Sequence, residues 1–197
     1  MKFRRFGGAA ATARRYGRSM VRWIAALAAG FALTACSPKP PPEWATGGAP
    51  LAIGPATWTA ADGTTFEVSP SGAVFADGHA LFTVDRAGRV YDTDNDPVAI
   101  LLPDGTVAGT EDSNLGRVGV TNASPPGSDT AWLSVSPNGQ VVYYESDGAR
   151  NNGGVWRGCV GPMLRTCTFV THLITLRNAT SSPTPGVMFG VGIGVGI

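Results

Sequence analysis

The chain has 197 residues, with 27 glycines, 15 prolines and only 15% charged side chains, which is too short for two large domains and enough for one packed core. Residues 1–35 carry seven basic side chains and no acid, whereas residues 36–197 carry eight basic and fourteen acidic ones, a net of −6. An acidic body argues against a nucleic-acid partner, whose phosphates clustered Lys and Arg would hold, and no run reaches the roughly 20 apolar residues of a spanning helix.

The leader comes first. Thirteen uncharged residues, 23–35, follow the basic stretch and precede Cys36. Their length suits the h-region of an export signal and is too short to span a bilayer and stay there. The end reads Leu33-Thr34-Ala35-Cys36. This resembles the lipobox of bacterial lipoproteins at all four positions. The resemblance implies cleavage before Cys36, a diacylglycerol thioether on its sulfur and an acylated new N-terminus. Each buried CH₂ contributes about 0.8 kcal/mol, so two or three acyl chains hold a protein on a membrane where one is marginal. Ser37 stands after the cysteine instead of Asp. By the same resemblance, the expected place is the cell envelope, with forwarding to the outer membrane. Arg4-Arg5 and Arg14-Arg15 lie outside a full twin-arginine motif, so both export routes stay open.

Ser37 to Glu43 holds four prolines, and a Gly-Gly-Ala-Pro run follows at 47–50. Proline fixes φ and removes a donor N–H, so a polyproline II spacer is expected over 36–54. The expected organisation is a signal helix at 1–35, the lipidated cysteine and disordered tether at 36–54, a β domain at 55–180 and a tail at 181–197.

The body reads as strands and turns. Runs rich in Val, Phe, Tyr, Trp and Thr fall at 64–69, 73–76, 80–85, 89–92, 98–102, 106–110, 117–121, 131–136, 141–146, 155–157 and 166–176. Gly or Pro interrupts nearly every helical window, and no amphipathic helix is expected between 55 and 177. Turns at 69–72, 85–88, 102–105 and 136–139 share one design, with Gly at the fourth place and, in three of them, Pro at the second. That is the chemistry of a type I turn with a G1 bulge. Consecutive hairpins predict an all-β antiparallel meander that forms a small sandwich or open barrel. The segment 68–74 is echoed 67 residues later at 135–141. These copies resemble the Ser-Pro-Asp-Gly strand-turn-strand unit of TolB-like β-propellers, but 55–177 has room for at most three blades of about 40 residues.

Candidate chemistry is sparse. Cys159 and Cys167 form an even pair in an exported chain, with Gly161-Pro162 between them; a disulfide across a hairpin is expected. Asp92, Asp94 and Asp96 offer three carboxylates for a calcium ion if a loop lets them converge, but Pro97 and Pro103 break the EF-hand pattern. His79 is expected at a hairpin tip and His172 in the longest strand. No nucleophile-elbow, zinc-protease or β-lactamase motif accompanies them. Tyr143 and Tyr144 are neighbours on a strand, so one must point outward as a candidate binding residue. From Gly190 onward, glycine alternates with apolar residues; this tail is a candidate last strand, self-association edge or membrane-adherent segment.

The expected function is that of a lipid-anchored envelope protein whose β domain binds or scaffolds without catalysis. Its partners would be the membrane, through the acyl chains on Cys36, and an envelope protein or glycan. No metal or other cofactor is called for. An exported hydrolase with a site assembled from scattered residues, and a self-associating surface lipoprotein, are the alternatives.

Overall fold

A computed structural model describes residues 38–181. Its compact unit starts at Lys39. Twelve strands follow in chain order: β1 Ala56–Thr59, β2 Thr65–Val68, β3 Ala73–Ala76, β4 His79–Val84, β5 Arg89–Tyr91, β6 Pro97–Leu101, β7 Thr106–Gly109, β8 Asn114–Val118, β9 Asn122–Ser124, β10 Leu133–Val135, β11 Gln140–Tyr144 and β12 Arg150–Arg157. Each pairs antiparallel with its chain neighbours, and β1 pairs with β12, so the meander closes into a barrel. The expected meander is present; it is closed, and no edge strand is left bare. Two strands, β1 and β9, were not legible in the sequence. The barrel also closes without the glycine-alternating tail, whose residues 182–197 lie outside the described ones, as do the signal segment and Cys36.

The turn chemistry explains the repeat. Val84, Leu101, Val118 and Val135 recur every 17 residues, and Val68 precedes Val84 by 16. The 67-residue echo is therefore four steps of one two-stranded unit. In each step a backbone N–H donates back to the preceding turn: Val84 to Gly72, Leu101 to Gly88, Val118 to Gly105 and Val135 to Thr121, at 2.7–2.9 Å. Trp156 closes the series on Gly139 at 2.8 Å. Gly72 and Gly139 sit at φ 89° and 85°, and a Cβ on either would collide with the carbonyl of Val84 or Trp156. Only glycine meets both demands.

One expectation is overturned at 166–176. That stretch is not a strand but part of a helix, α1, spanning Met163–Ser181. Residues 166–172 have no exposed surface on any side. Hydrogen bonds reach the helix from Ala52, from Leu81 on β4, from Leu115 on β8, from Val120, from Tyr143 on β11 and from Trp156 on β12. The helix therefore threads the barrel lumen, and Phe169, Val170 and Ile174 pack with the inward side chains of the strands. A helix enclosed on all sides has no polar face, so the periodic signal that reveals a surface helix is absent. The Val- and Thr-rich composition reads as strand because β-branched side chains favour the pleated surface.

A second correction concerns the spacer. From Lys39 onward, the stretch assigned to a disordered tether is seated on the barrel. The Ala49 N–H donates to Leu101 O at 2.7 Å and the Leu51 N–H to Arg86 O at 3.0 Å, and both side chains are buried. Trp44 lies edge-on to Tyr91, with ring centroids 5.0 Å apart, and the Arg89 guanidinium covers it. This strap covers Ile100 on the outer face of β6, which has no exposed surface although it lies outside the inner core cluster.

Candidate functional site

The lumen carries the densest polar network. The Trp132 indole N–H donates to His172 Nδ1 at 3.1 Å, and His172 Nε2 lies 2.8 Å from Leu115 O. An indole only donates and a carbonyl only accepts, so the proton sits on Nε2 and the imidazole is neutral. Burial pushes the His172 pKa down to about 4, against a smaller opposing effect of the Leu115 carbonyl. Thr171 and Thr175 spend their hydroxyl protons on the Cys167 and Thr171 carbonyls of their own helix. Their oxygens then accept from the barrel: Thr171 from the Trp156 indole at 2.9 Å, and Thr175 from the Tyr143 hydroxyl at 3.2 Å. Burial raises the Tyr143 pKa, and the Thr175 bond opposes that rise. The network satisfies buried polar groups and fixes the rotation of the helix. It leaves His172 no free nitrogen with which to act as a base.

The sequence-predicted residues do not converge on one site. His79 starts β4 at an exposed tip, as expected, far along the chain from His172 on α1. Asp92 uses its carboxylate as a turn acceptor for the Asp94 and Asp96 N–H groups, at 3.0 and 2.8 Å. Asp92, Asp94 and Asp96 do not gather into a metal-holding group, and among the described residues no three acidic, His or Cys side chains do. The calcium reading has no geometric support. Cys159 and Cys167 are bonded, with Cα atoms 6.1 Å apart. The bond does not cross a hairpin; it ties Cys159, two residues past the end of β12, to the first turns of α1.

Tyr143 points into the lumen, so Tyr144 is the outward one. Its hydroxyl lies 2.9 Å from Ser134 Oγ, and the Arg150 guanidinium stands 5.9 Å over its ring. Beside it the Asn151 amide donates to Glu145 at 2.6 Å. This partly exposed aromatic and polar patch on β10–β12 is the surface best suited to contact.

The turns divide by charge. Because neighbouring strands are antiparallel, alternate turns fall at opposite ends of the barrel. Turns 60–64, 77–78, 92–96, 110–113, 125–132 and 145–149 share one rim and hold ten of the fourteen acidic residues. The other rim holds the four same-design turns with only Asp85 and Asp104. There, two bonds from Thr106, from its backbone N–H and its hydroxyl, hold the Asp104 carboxyl below its usual range. The sequence listed every one of these acids, but their common rim follows only from the strand order.

The barrel wall is not a membrane wall. Its strands run 3–8 residues, short of the roughly 9–11 a spanning strand needs, and Glu67, Arg117 and Arg157 project outward. Among the described residues no helix is long and apolar enough to cross a membrane. No known protein family, curated protein or solved structure matches this chain.

Proposed function

We propose that this is a lipid-anchored protein of the cell envelope whose helix-plugged barrel is a rigid, non-catalytic binding or scaffolding module. The observation that carries this reading is Leu33-Thr34-Ala35-Cys36 at the end of an uncharged thirteen-residue run behind a basic leader. A disulfide between the only two other cysteines supports it, because such bonds persist in oxidising compartments outside the cytoplasm. The closed lumen supports the non-catalytic part: its one histidine is neutral and fully engaged. Contact with an envelope protein or glycan is assigned to the Tyr144 patch, and Ser37 supports an outer-membrane destination.

The test is the mass of the mature N-terminus together with detergent phase partition. The wild-type protein is expected to begin at an acylated Cys36 and to enter the detergent phase, and Cys36→Ala to stay in the aqueous phase. A mature chain beginning elsewhere overturns the reading.

A further inference from the structure

We propose that in the acylated protein the barrel is held with its acidic rim against a zwitterionic lipid surface, instead of swinging on a spacer. The inference rests on the lipid-anchor reading above and adds an orientation and a lipid class to it.

Only Ser37 and Pro38 separate Cys36 from Lys39. Three residues of fully extended chain span at most about 11 Å. Lys39 is fastened to the barrel. Its N–H donates to Glu111 Oε1 at 2.7 Å, its carbonyl accepts from the Glu111 N–H at 3.2 Å, and its ammonium meets Asp112 at 2.5 Å. Pro41 is buried immediately afterwards. The turn that receives Lys39 belongs to the acidic rim. A lipid on Cys36 therefore brings that rim within one short span of the headgroups.

Two further observations point the same way. Glu111 and Asp112 have φ of 55° and 58°, a left-handed conformation that non-glycine residues adopt at a cost. Such outliers persist where surrounding contacts over-determine them, and here both residues grip the strap. The second observation is the far end of the chain. Helix α1 begins near Ala52 and Val120 at the glycine-turn rim and reaches Tyr143 and Leu81 beside the acidic rim. The described chain thus also ends on the side of the acidic rim.

Charge selects the lipid. Ten carboxylates on one rim, offset there by Lys39 on Asp112, Arg150 at the start of β12 and Arg177 near the end of α1, leave a net negative rim that repels an anionic leaflet within the roughly 8 Å Debye length of physiological salt. A zwitterionic surface lets the rim approach, with the acyl chains supplying the attachment.

The experiment uses the full acylated chain carrying Asp94→Cys or Pro103→Cys, each labelled with a small fluorophore. These positions lie on exposed turns at opposite ends of β6, roughly 25 Å apart along a strand. In phosphatidylcholine vesicles containing a headgroup nitroxide, fluorescence at 94 is expected to be lost while that at 103 is retained. Adding phosphatidylglycerol at low salt is expected to restore fluorescence at 94, and high salt to remove it again. Equal quenching at both positions, or stronger quenching at 103, overturns the orientation. Insensitivity to phosphatidylglycerol overturns the lipid class. The N-terminal mass of the same samples separates the two failures: an unmodified Cys36 sinks the anchor reading itself, whereas an acylated Cys36 with the wrong quenching pattern sinks only the orientation.

Discussion

The two rims of the barrel are made from the same element, a tight turn between antiparallel strands, and they solve different problems. At the glycine-turn rim, Gly72 and Gly139 pack directly against the carbonyls of Val84 and Trp156. At the acidic rim, Gly78 and Gly148 also hold positive φ, but a Cβ added to either meets nothing within 4 Å. One rim is interlocked backbone, and the other is solvated charge. The difference teaches that a shared turn motif does not imply a shared burden: what the turn leans on decides its worth.

The sharpest way to break this comparison is a pair of substitutions. Gly139→Val combines a left-handed valine with a clash against backbone and is expected to cost about 4 kcal/mol. Gly148→Val meets only the conformational penalty and is expected to cost about 1–2 kcal/mol. Chemical denaturation of both variants checks this; equal losses would erase the distinction between the rims.

Acid probes the lumen between the rims. The folded pKa of His172, about 4, lies below the ordinary value of 6.5, so the unfolded chain takes up a proton that the folded protein refuses. The contribution of His172 is complete above pH 6.5 and is lost as the pH falls to 4, a total of about 3 kcal/mol. The matching measurement is the pH dependence of unfolding in the wild type and in His172→Gln, where the variant is expected to show the shallower slope over that window. Reduction of Cys159–Cys167 releases α1 at the glycine-turn end. The closed loop, with a sequence separation of 8, is expected to contribute roughly 2.6 kcal/mol. Thermal unfolding with and without reductant reads it. The smallest effect is expected for Tyr143→Phe, near the acidic end of α1. It removes one hydrogen bond while Thr175 keeps its own, a loss of about 1 kcal/mol.

Much of the wall was legible. Pro and Gly at 69–72, 102–105 and 136–139 prescribe their turns locally, and the alternation along 80–85 and the apolar run at 98–102 mark strands within a few residues of their ends. β1 was hidden by Gly54-Pro55 before it, and β9 by the Asn-Ala-Ser composition of its three residues. The pairing of Cys159 with Cys167 was also legible, because setting Cys36 aside as the expected lipid site leaves an even count with one partner each. Of the candidate site, the sequence offered an either-or at Tyr143 and Tyr144. Only the pairing of Tyr143 with Thr175 on α1, a helix not expected at all, settles which faces out.

The amino-acid sequence by itself determined the hairpin unit and the all-β character of the wall, because turn geometry and side-chain alternation depend on near neighbours. Only the tertiary structure decided that 163–181 is helical, that β1 meets β12, that the strap lies on β6 and that the acids share one rim. The reason is one of scale. A Thr- and Val-rich segment differs in intrinsic preference between helix and strand by only a few tenths of a kcal/mol per residue. Burial on every side, with the Trp132, Tyr143 and Trp156 donors satisfied on the helix, outweighs that preference, and those partners come from distant parts of the chain.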